Sequence, residues 1–241
     1  MTVDDPAFIK ARIQRILMDA PEQVGFEYVA DRIYQYRIGH DEQACRDLIV
    51  LARAFVDLLR LPEFVRRLPD FYTCTHEDET LQAITRSCFT DYPATRKADP
   101  HSDAQNAQTL ISLPLGIQKS CARSHNRSHH EALLHTPWPQ VVEILCENSS
   151  IQQRDIVTMA SRRPTQNHLL EPILLSPWSA RQEVRFALAA NPSLSVSHAM
   201  RCALSLSAAN IHVLLDMPEL HRFIHLHLHN LIDLHASEPS Q

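Results

Sequence analysis

The hydrophobic residues of the first ninety positions recur with the spacing of amphipathic α-helices. Asp5 and Pro6 provide an N-cap and a first helical position. The apolar residues that follow lie on one helical face: Ile9, Ile13, Ile16, Leu17 and Ala20. A second helix is predicted from about Pro21 to Ile38, before Gly39, and Asp41 begins a third with apolar residues at three- and four-residue intervals. The pattern predicts an N-terminal helical bundle.

The bundle is predicted to end near residue 92. Thr75 and Asp78 have the spacing of a capping box, which predicts a helix through Phe89. Apolar residues then almost vanish from Tyr92 to Asp103, a stretch that also holds two prolines. We therefore expect a helical bundle at residues 1–92 and a linker at residues 93–104.

Beyond the linker the pattern becomes periodic. Prolines stand at positions 137, 164, 192 and 218, separated by 27, 28 and 26 residues. Two S-x-x-Q segments, which begin at Ser150 and Ser179, are predicted capping boxes 29 residues apart. Predicted helix starts near residues 138, 152, 166, 180, 195 and 208 give about fourteen residues for each helix and its turn. Two such helices would make one repeat.

Helices this short depend on their neighbours for stability. Isolated helices of fewer than about 12–15 residues are marginal in water, because the first turn is costly to form. Stacked repeats supply the missing burial in solenoid proteins. We therefore predict an all-α fold in which residues 105–241 form a short-helix α-solenoid behind the N-terminal bundle.

A resemblance to a known family supports this prediction. Residues 115–215 contain LGIQKSCAR, TPWPQVVEILCENSSI, RDIVTMASRRP, LLSPWSARQEVRFALAANPSLS and AMRCALSL. The pattern VR-x-AL-x-x-NP with a serine restart resembles the leucine-rich-repeat-variant type of bacterial helical repeat proteins, which are similar to HEAT and armadillo arrays. Asn191-Pro192 is the clearest copy, and Arg163-Pro164 and Asn148-Ser149 are looser ones. The resemblance implies a right-handed stack of short helices and no catalytic residues.

Composition excludes several classes of protein. The chain has only three glycines in 241 residues, and no two of them lie within ten residues of each other. Phosphate-binding loops and dinucleotide-binding turns need closely spaced glycines, and β-hairpins also depend on them. The six cysteines include no C-x-x-C pair, which favours free thiols over a zinc ribbon or a disulfide framework.

Charge and hydrophobicity predict the compartment and the partners. No stretch has the roughly 20 consecutive apolar residues of a membrane span, and no signal peptide is recognisable at the N-terminus, so we predict a cytoplasmic protein with no membrane contact. Residues 105–241 carry ten basic and ten acidic side chains. Binding to nucleic acid requires an excess of positive charge, so it is only a second alternative for the function.

Histidines provide the first candidate for chemistry. His221, His225 and His229 recur every four residues near the C-terminus, where imidazoles on one helical edge could chelate a transition metal. The favoured interpretation is the polar edge of a terminal helix, with His227 in the core. His130 and His135 resemble the H-E-x-x-H motif, but their spacing is one residue too long to share a helical face. Ser128 and Glu131 are instead predicted to form a capping box.

Arginines and tryptophans provide the second candidate. The residues that could contact a partner are Arg162, Arg163, Arg181, Arg185, Trp138 and Trp178. With Arg154, the arginines could form a column that pairs with an acidic partner. The favoured alternative is structural, with arginines bonded to the last carbonyls of neighbouring helices or paired with Asp155, Glu171 and Glu183. The tryptophans are expected to pack between repeats and, where exposed, to anchor a partner.

The leading hypothesis is a non-catalytic helical-repeat protein that serves as a scaffold or adaptor for another protein. The sequence indicates no catalytic residue and no cofactor. The first alternative is a metal-binding protein or metal-dependent enzyme that uses the C-terminal histidines.

Overall fold

A computed structural model describes residues 5–94 and 110–236. Within these ranges the chain forms fourteen α-helices, and the one β-type pairing is an isolated bridge between Ala94 and Ser195. The helices are α1 Pro6–Asp19, α2 Glu22–Arg37, α3 Glu42–Leu58, α4 Pro62–Thr73, α5 Glu79–Cys88, α6 Leu115–Arg123, α7 Arg127–Leu133, α8 Pro139–Glu147, α9 Gln153–Ser161, α10 Asn167–Leu175, α11 Gln182–Ala189, α12 Val196–Ala203, α13 Ala208–Leu215 and α14 Arg222–Ala236. The predicted all-α class is confirmed.

The chain divides into two compact units that differ from the predicted domains. The described residues of 1–93 and 196–241 form one, the terminal unit, and those of 94–195 form the other, the central unit. Helices α12, α13 and α14 therefore belong with the N-terminal helices, although the sequence places them in the repeat domain at 105–241. Most of the predicted linker at 93–104 lies outside the described residues.

The N-terminal helices follow their sequence signals closely. The side chains of Asp5 and Asp41 cap α1 and α3 by accepting from the backbone N–H groups of Ala7 and Gln43. The predicted Thr75–Asp78 capping box is wrong, because Asp78 is itself the N-cap and accepts from Leu81 N at 2.9 Å. Helix α4 was not predicted at all.

The core of the terminal unit is aromatic. Five phenylalanines pack in a connected cluster: Phe26, Phe55, Phe64, Phe71 and Phe89. The rings of Phe71 and Phe89 stack at a centroid distance of 4.4 Å. Gly25 allows this approach, since a Cβ at that position would lie 2.8 Å from Cε1 of Phe71. This glycine serves close packing and not a turn.

The central unit keeps the predicted spacing of its helices. Observed starts at 139, 153, 167 and 182 lie within two residues of the predicted 138, 152, 166 and 180. Helix α8 packs on α6 and α10, and α9 packs on α11, so these helices pack on the one two places along the chain. A 3-10 turn at Pro177–Ala180 connects α10 to α11.

The predicted capping boxes of the central unit are wrong, although the helix starts are right. Helix α9 has Gln152 as its N-cap, and the N–H of Gln152 donates to Asp155 Oδ2 at 3.0 Å. Ser150 instead donates to Asn148 Oδ1, and Ser179 lies buried in the 3-10 turn. Helix α7 is capped by Asn126 and not by Ser128. Ser150 and Ser179 therefore lie in the turns of the central unit without capping the next helix.

Candidate functional site

The scarcity of glycine creates a structural problem at helix C-termini. The last four carbonyls of a helix have no partner within it, and a residue with positive φ, usually glycine, often ends the helix and satisfies some of them. No glycine in the described residues has positive φ, and His40, at φ 53°, is the one non-glycine residue there that does. Some of these carbonyls instead accept hydrogen bonds from side chains of other parts of the chain.

Two asparagines perform this task in the central unit with the same geometry. Asn148 follows α8, and its Nδ2 donates to Ala122 O and Ser124 O at the end of α6, both at 2.8 Å. Asn191 follows α11, and its Nδ2 donates to Ala160 O at 2.7 Å and Arg162 O at 3.0 Å, at the end of α9. In both cases the acceptors are the residue before the last of the helix and the C-cap residue.

The acceptor side of each amide fixes the turn that follows. Asn148 Oδ1 accepts from Ser150 N at 2.9 Å, and Asn191 Oδ1 accepts from Ser193 N at 3.0 Å. One asparagine therefore ties its own turn to the helix two places earlier. Asn148 and Asn191 therefore make equivalent hydrogen bonds. Asn148-Ser149 is one of the looser copies of Asn191-Pro192 in the sequence.

Arg162 and Arg163 make contacts in opposite directions along the chain. Arg162 Nη1 donates to Thr136 O at 3.1 Å, just past the end of α7. Arg163 Nη2 donates to Ala190 O at 2.6 Å, at the C-cap of α11. These two arginines bind the carbonyls of neighbouring helix ends, which is the structural role that the sequence analysis favoured.

The five arginines do not form the column that the sequence suggested. Arg181 is the N-cap residue of α11 and is exposed, whereas Arg163 contacts the other end of that helix. The two positions are about 12 Å apart, because α11 has eight residues. Arg185 is only 6% exposed, and its Nη1 donates to Ala180 O at 2.6 Å and Ser179 O at 3.1 Å. Its burial leaves little surface for a partner.

Asp155, which was predicted to pair with one of these arginines, has a different partner. Asp155 forms a bidentate ion pair with Arg127, which no sequence pattern had indicated. Arg127 and Asp155 are 28 residues apart, which is one period of the repeat. This spacing was the one feature of the sequence from which the pair could have been predicted. It joins the start of α7 to the start of α9.

The two tryptophans have different environments. Trp178 Nε1 donates to Cys146 O at 2.9 Å, so this ring closes the C-terminal end of α8 as a staple between repeats. Trp138, the N-cap residue of α8, is 42% exposed. Among the six predicted contact residues, Trp138, Arg163 and Arg181 are exposed, Arg162 and Trp178 are half-buried, and Arg185 is buried.

The terminal unit solves the same capping problem with fully buried arginines. Arg201 of α12 is 0% exposed. Its Nε and Nη2 donate to Cys88 O at 2.9 and 2.8 Å, and Nη2 also donates to Thr90 O at 2.6 Å. Its guanidinium carbon lies 4.1 Å from the centre of the Phe55 ring. The negative end of the α5 dipole and the aromatic face compensate the buried charge.

Arg37 of α2 makes the reciprocal contact. Its Nη1 donates to Leu206 O at 2.8 Å and its Nη2 to Ala203 O at 3.0 Å, at the end of α12. Burial lowers the pKa of Arg37 and of Arg201 to about 10, so both remain charged at neutral pH. Sequence reasoning missed both residues, since their partners lie more than one hundred positions away.

Two buried histidines lie beside these arginines. Burial and the charge of Arg201 lower the pKa of His198 to about 3, and His198 Nδ1 lies 3.2 Å from Arg201 Nη1. Burial and the charge of Arg37 lower the pKa of His227 to about 3, and its Nδ1 lies 2.8 Å from Ser87 Oγ. The prediction that His227 is a core residue is confirmed. Neutral imidazoles fit this positively charged surrounding.

The C-terminal histidines were the alternative candidate for a metal site. His221 Nδ1 accepts from Phe223 N at 3.2 Å and so begins α14. The part of the chain that the structure describes contains no group of three metal-ligating side chains. His130 is buried, with Nε2 2.7 Å from Ser124 O. Metal binding by His221, His225 and His229 stays a prediction.

Two buried cysteines and a surface cleft were considered as sites for catalysis, and neither favours it. Burial raises the pKa of Cys88 and of Cys146 to about 12, which disfavours the reactive thiolate. The terminal unit has a surface cleft of about 590 Å³, which is lined by Gln23, Glu27, Thr75, His76 and Glu77. Its polar groups bond to one another, as Gln23 Nε2 does to Glu27 Oε1 and Thr75 O, both at 2.9 Å.

These contacts define an all-α protein whose helix ends are closed by asparagine, arginine and tryptophan side chains. Comparison with known proteins finds no matching family model, no matching curated protein and no matching solved structure. No helix in residues 5–94 and 110–236 has both the length and the apolar character to cross a membrane.

Proposed function

We propose that this chain is a non-catalytic α-helical repeat protein that serves as a binding scaffold for another protein. The central unit is the proposed binding part, arranged as a short solenoid of the helical-repeat type. The observation that carries the proposal is the repeated asparagine cap, in which Asn148 and Asn191 each tie a turn to the helix two places earlier. A contact rule that repeats along the chain is the basis of solenoid stacking.

The repeat rule operates in both series of helices. Asn148 connects α8 to α6, and Asn191 connects α11 to α9. Each cap spans 24 to 31 residues, which matches the predicted repeat of two helices with their turns. Arrays built this way expose long surfaces to partners while their contacts with neighbours provide stability.

The chemistry of the described residues supports a binding role more than catalysis. The histidines and cysteines with the largest pKa shifts are buried, and His198, His227 and Cys88 lie against the structural arginine caps or against Ser87. Trp138, Arg163 and Arg181 are the predicted contact residues best exposed for a partner, and tryptophan and arginine are enriched among residues that dominate interface energy.

Quantitative affinity capture from the native host tests the proposal. The tagged full-length chain should retain one protein at a constant ratio, and Trp138→Ala should reduce its recovery about tenfold or more. Leu226→Ala is the matched control, because Leu226 is an exposed apolar residue of the terminal unit. Equal recovery with both variants would contradict binding through Trp138. A purified chain without a partner but with measurable turnover would contradict the scaffold function.

A further inference from the structure

The terminal unit is assembled from two segments that are distant in sequence. Residues 5–93 supply α1 to α5, and Val196–Ala236, the C-terminal segment, supplies α12 to α14. Helix α12 packs on α3 and α5, and α14 packs on α5. The apolar residues of α14 that face this core are buried: Ile224, Leu228, Leu231 and Leu234.

The two segments exchange arginine caps. Arg201 of the C-terminal segment donates to the carbonyls that end α5, over sequence separations of 113 and 111 residues. Arg37 of the N-terminal segment donates to the carbonyls that end α12, over separations of 169 and 166 residues. Each segment therefore provides the donor that completes a helix of the other.

The joint between the segments is also closed by hydrogen bonds. Tyr92 N donates to Ser197 Oγ at 2.6 Å, and Val196 N donates to Pro93 O at 3.4 Å. The C-terminal segment therefore begins directly beside the residue where the N-terminal segment ends. The two segments are therefore in direct contact, although about one hundred residues separate them in the sequence.

Detachment of the C-terminal segment would damage both partners at once. The carbonyls of Cys88, Thr90 and Leu206 would lose their arginine donor, and that of Ala203 would keep the bond from Leu206 N. Phe55 would lose the guanidinium that covers its ring. Detachment would also expose to water the apolar surface that the two segments bury against each other, so neither segment keeps its native packing alone.

We propose that the C-terminal segment is a closing strap, and that residues 5–93 and 196–236 open and close as one cooperative unit through the reciprocal Arg37 and Arg201 caps. The strap is not a separate appendage that can leave an intact N-terminal bundle behind. Because the inference concerns the terminal unit, it is independent of the proposed partner binding by the central unit.

Native-state hydrogen exchange of the full-length chain, measured over a series of low urea concentrations, tests the proposal without mutation. The best-protected amides of α3, α5, α12 and α14 should share one opening free energy and one dependence on urea, because one event exposes them all. A lower opening free energy and a weaker urea dependence for α12 and α14 would overturn the proposal, since the strap would then detach by itself.

A variant on the opposite segment sharpens the test. Arg37→Gln lies in α2, yet it should accelerate exchange in both α12 and α5 by the same factor, about tenfold or more, because hydrogen bonds from a charged group are lost. Arg37→Lys should give a smaller, equally shared acceleration, and it makes the same comparison if the glutamine variant does not fold. Arg66→Gln is the control, since the exposed Arg66 bonds only within its own helix, to Pro62 O. Acceleration confined to α12–α14 would contradict the proposal.

Discussion

The two units close their helix ends with different side chains over different distances. In the central unit, asparagines, arginines and a tryptophan reach carbonyls 24 to 32 residues away, which is close to two helices with their turns. In the terminal unit, Arg37 and Arg201 reach carbonyls 111 to 169 residues away. A repeating stack brings the same sequence positions together again and again, so a short motif is sufficient. The terminal unit has no such repeat, so Arg37 and Arg201 each act at a single site.

The difference also concerns charge. The asparagine caps are neutral, and their amides can donate to the carbonyls and accept from the next turn. The arginine caps bury a positive charge, which helix ends and an aromatic ring must compensate. We therefore expect the terminal unit to be the more sensitive to substitution and to pH.

Removal of the Arg201 cap should have the largest effect. Arg201→Gln loses donors to two buried carbonyls and should lower the free energy of unfolding by about 3 kcal/mol or more, as for other buried polar networks. Urea denaturation followed by circular dichroism measures this change. Arg222→Gln on the exposed part of α14 is the reference, and an equal loss in both variants would show that the buried cap has no special importance.

Acidification should have the next largest effect. Because the pKa of His198 and of His227 is about 3 in the folded protein and near its ordinary value when unfolded, the unfolded state binds more protons between these values. Stability should therefore fall as the pH decreases from about 6.5 towards 3. His227→Asn can keep the bond to Ser87 without an ionisable ring, so its stability should depend less on pH. An unchanged slope would contradict the role of His227.

Removal of an asparagine cap should lower the free energy of unfolding by a smaller amount, and it should do so at both Asn148 and Asn191. Asn191→Ala should lower the free energy of unfolding by about 1–3 kcal/mol, since it leaves buried carbonyls without a donor. Asn148→Ala should cost less, because Asn148 is only partly buried. Thermal and urea denaturation measure both. Asn191→Asp is the sharper variant, because a carboxylate faces the same carbonyls with no donor; full tolerance of it would refute the capping role.

The exposed arginines of the central unit should have the smallest effects. Arg163→Gln and Arg181→Gln should each change stability by less than about 1 kcal/mol, and Arg185→Gln by more, in the order of their burial. The three variants can be ranked in one set of urea denaturation curves. A reversed order would show that the bonds of Arg163 to Ala190 O contribute more than those of Arg185.

Much of the fold follows from local pattern. The starts of α8 to α11 were predicted within two residues, because proline and polar residues end one short helix and begin the next. Helix α4 was missed, although Phe64, Leu68 and Phe71 have helical spacing and are buried. Pro69 inside the helix conceals this signal, since proline usually ends one.

The capping residues show where local pattern fails. Ser150 and Ser179 have the right spacing to a glutamine, but Asn148 and the 3-10 turn provide other partners for their hydroxyl groups. The candidate binding residues diverge for the same reason. Arg185 was a candidate for binding a partner, but it is buried and donates to the carbonyls of Ser179 and Ala180.

The sequence by itself determined the helical class, the fourteen-residue spacing of the central unit and the absence of glycine-based loops, because these depend on periodicity and on single-residue conformational preferences. Only the tertiary structure decided that α12 to α14 return to the N-terminal helices, and that Arg37 and Arg201 exchange caps with them. Such contacts depend on which helix ends meet in space, and no spacing along the chain encodes a partner more than one hundred residues away.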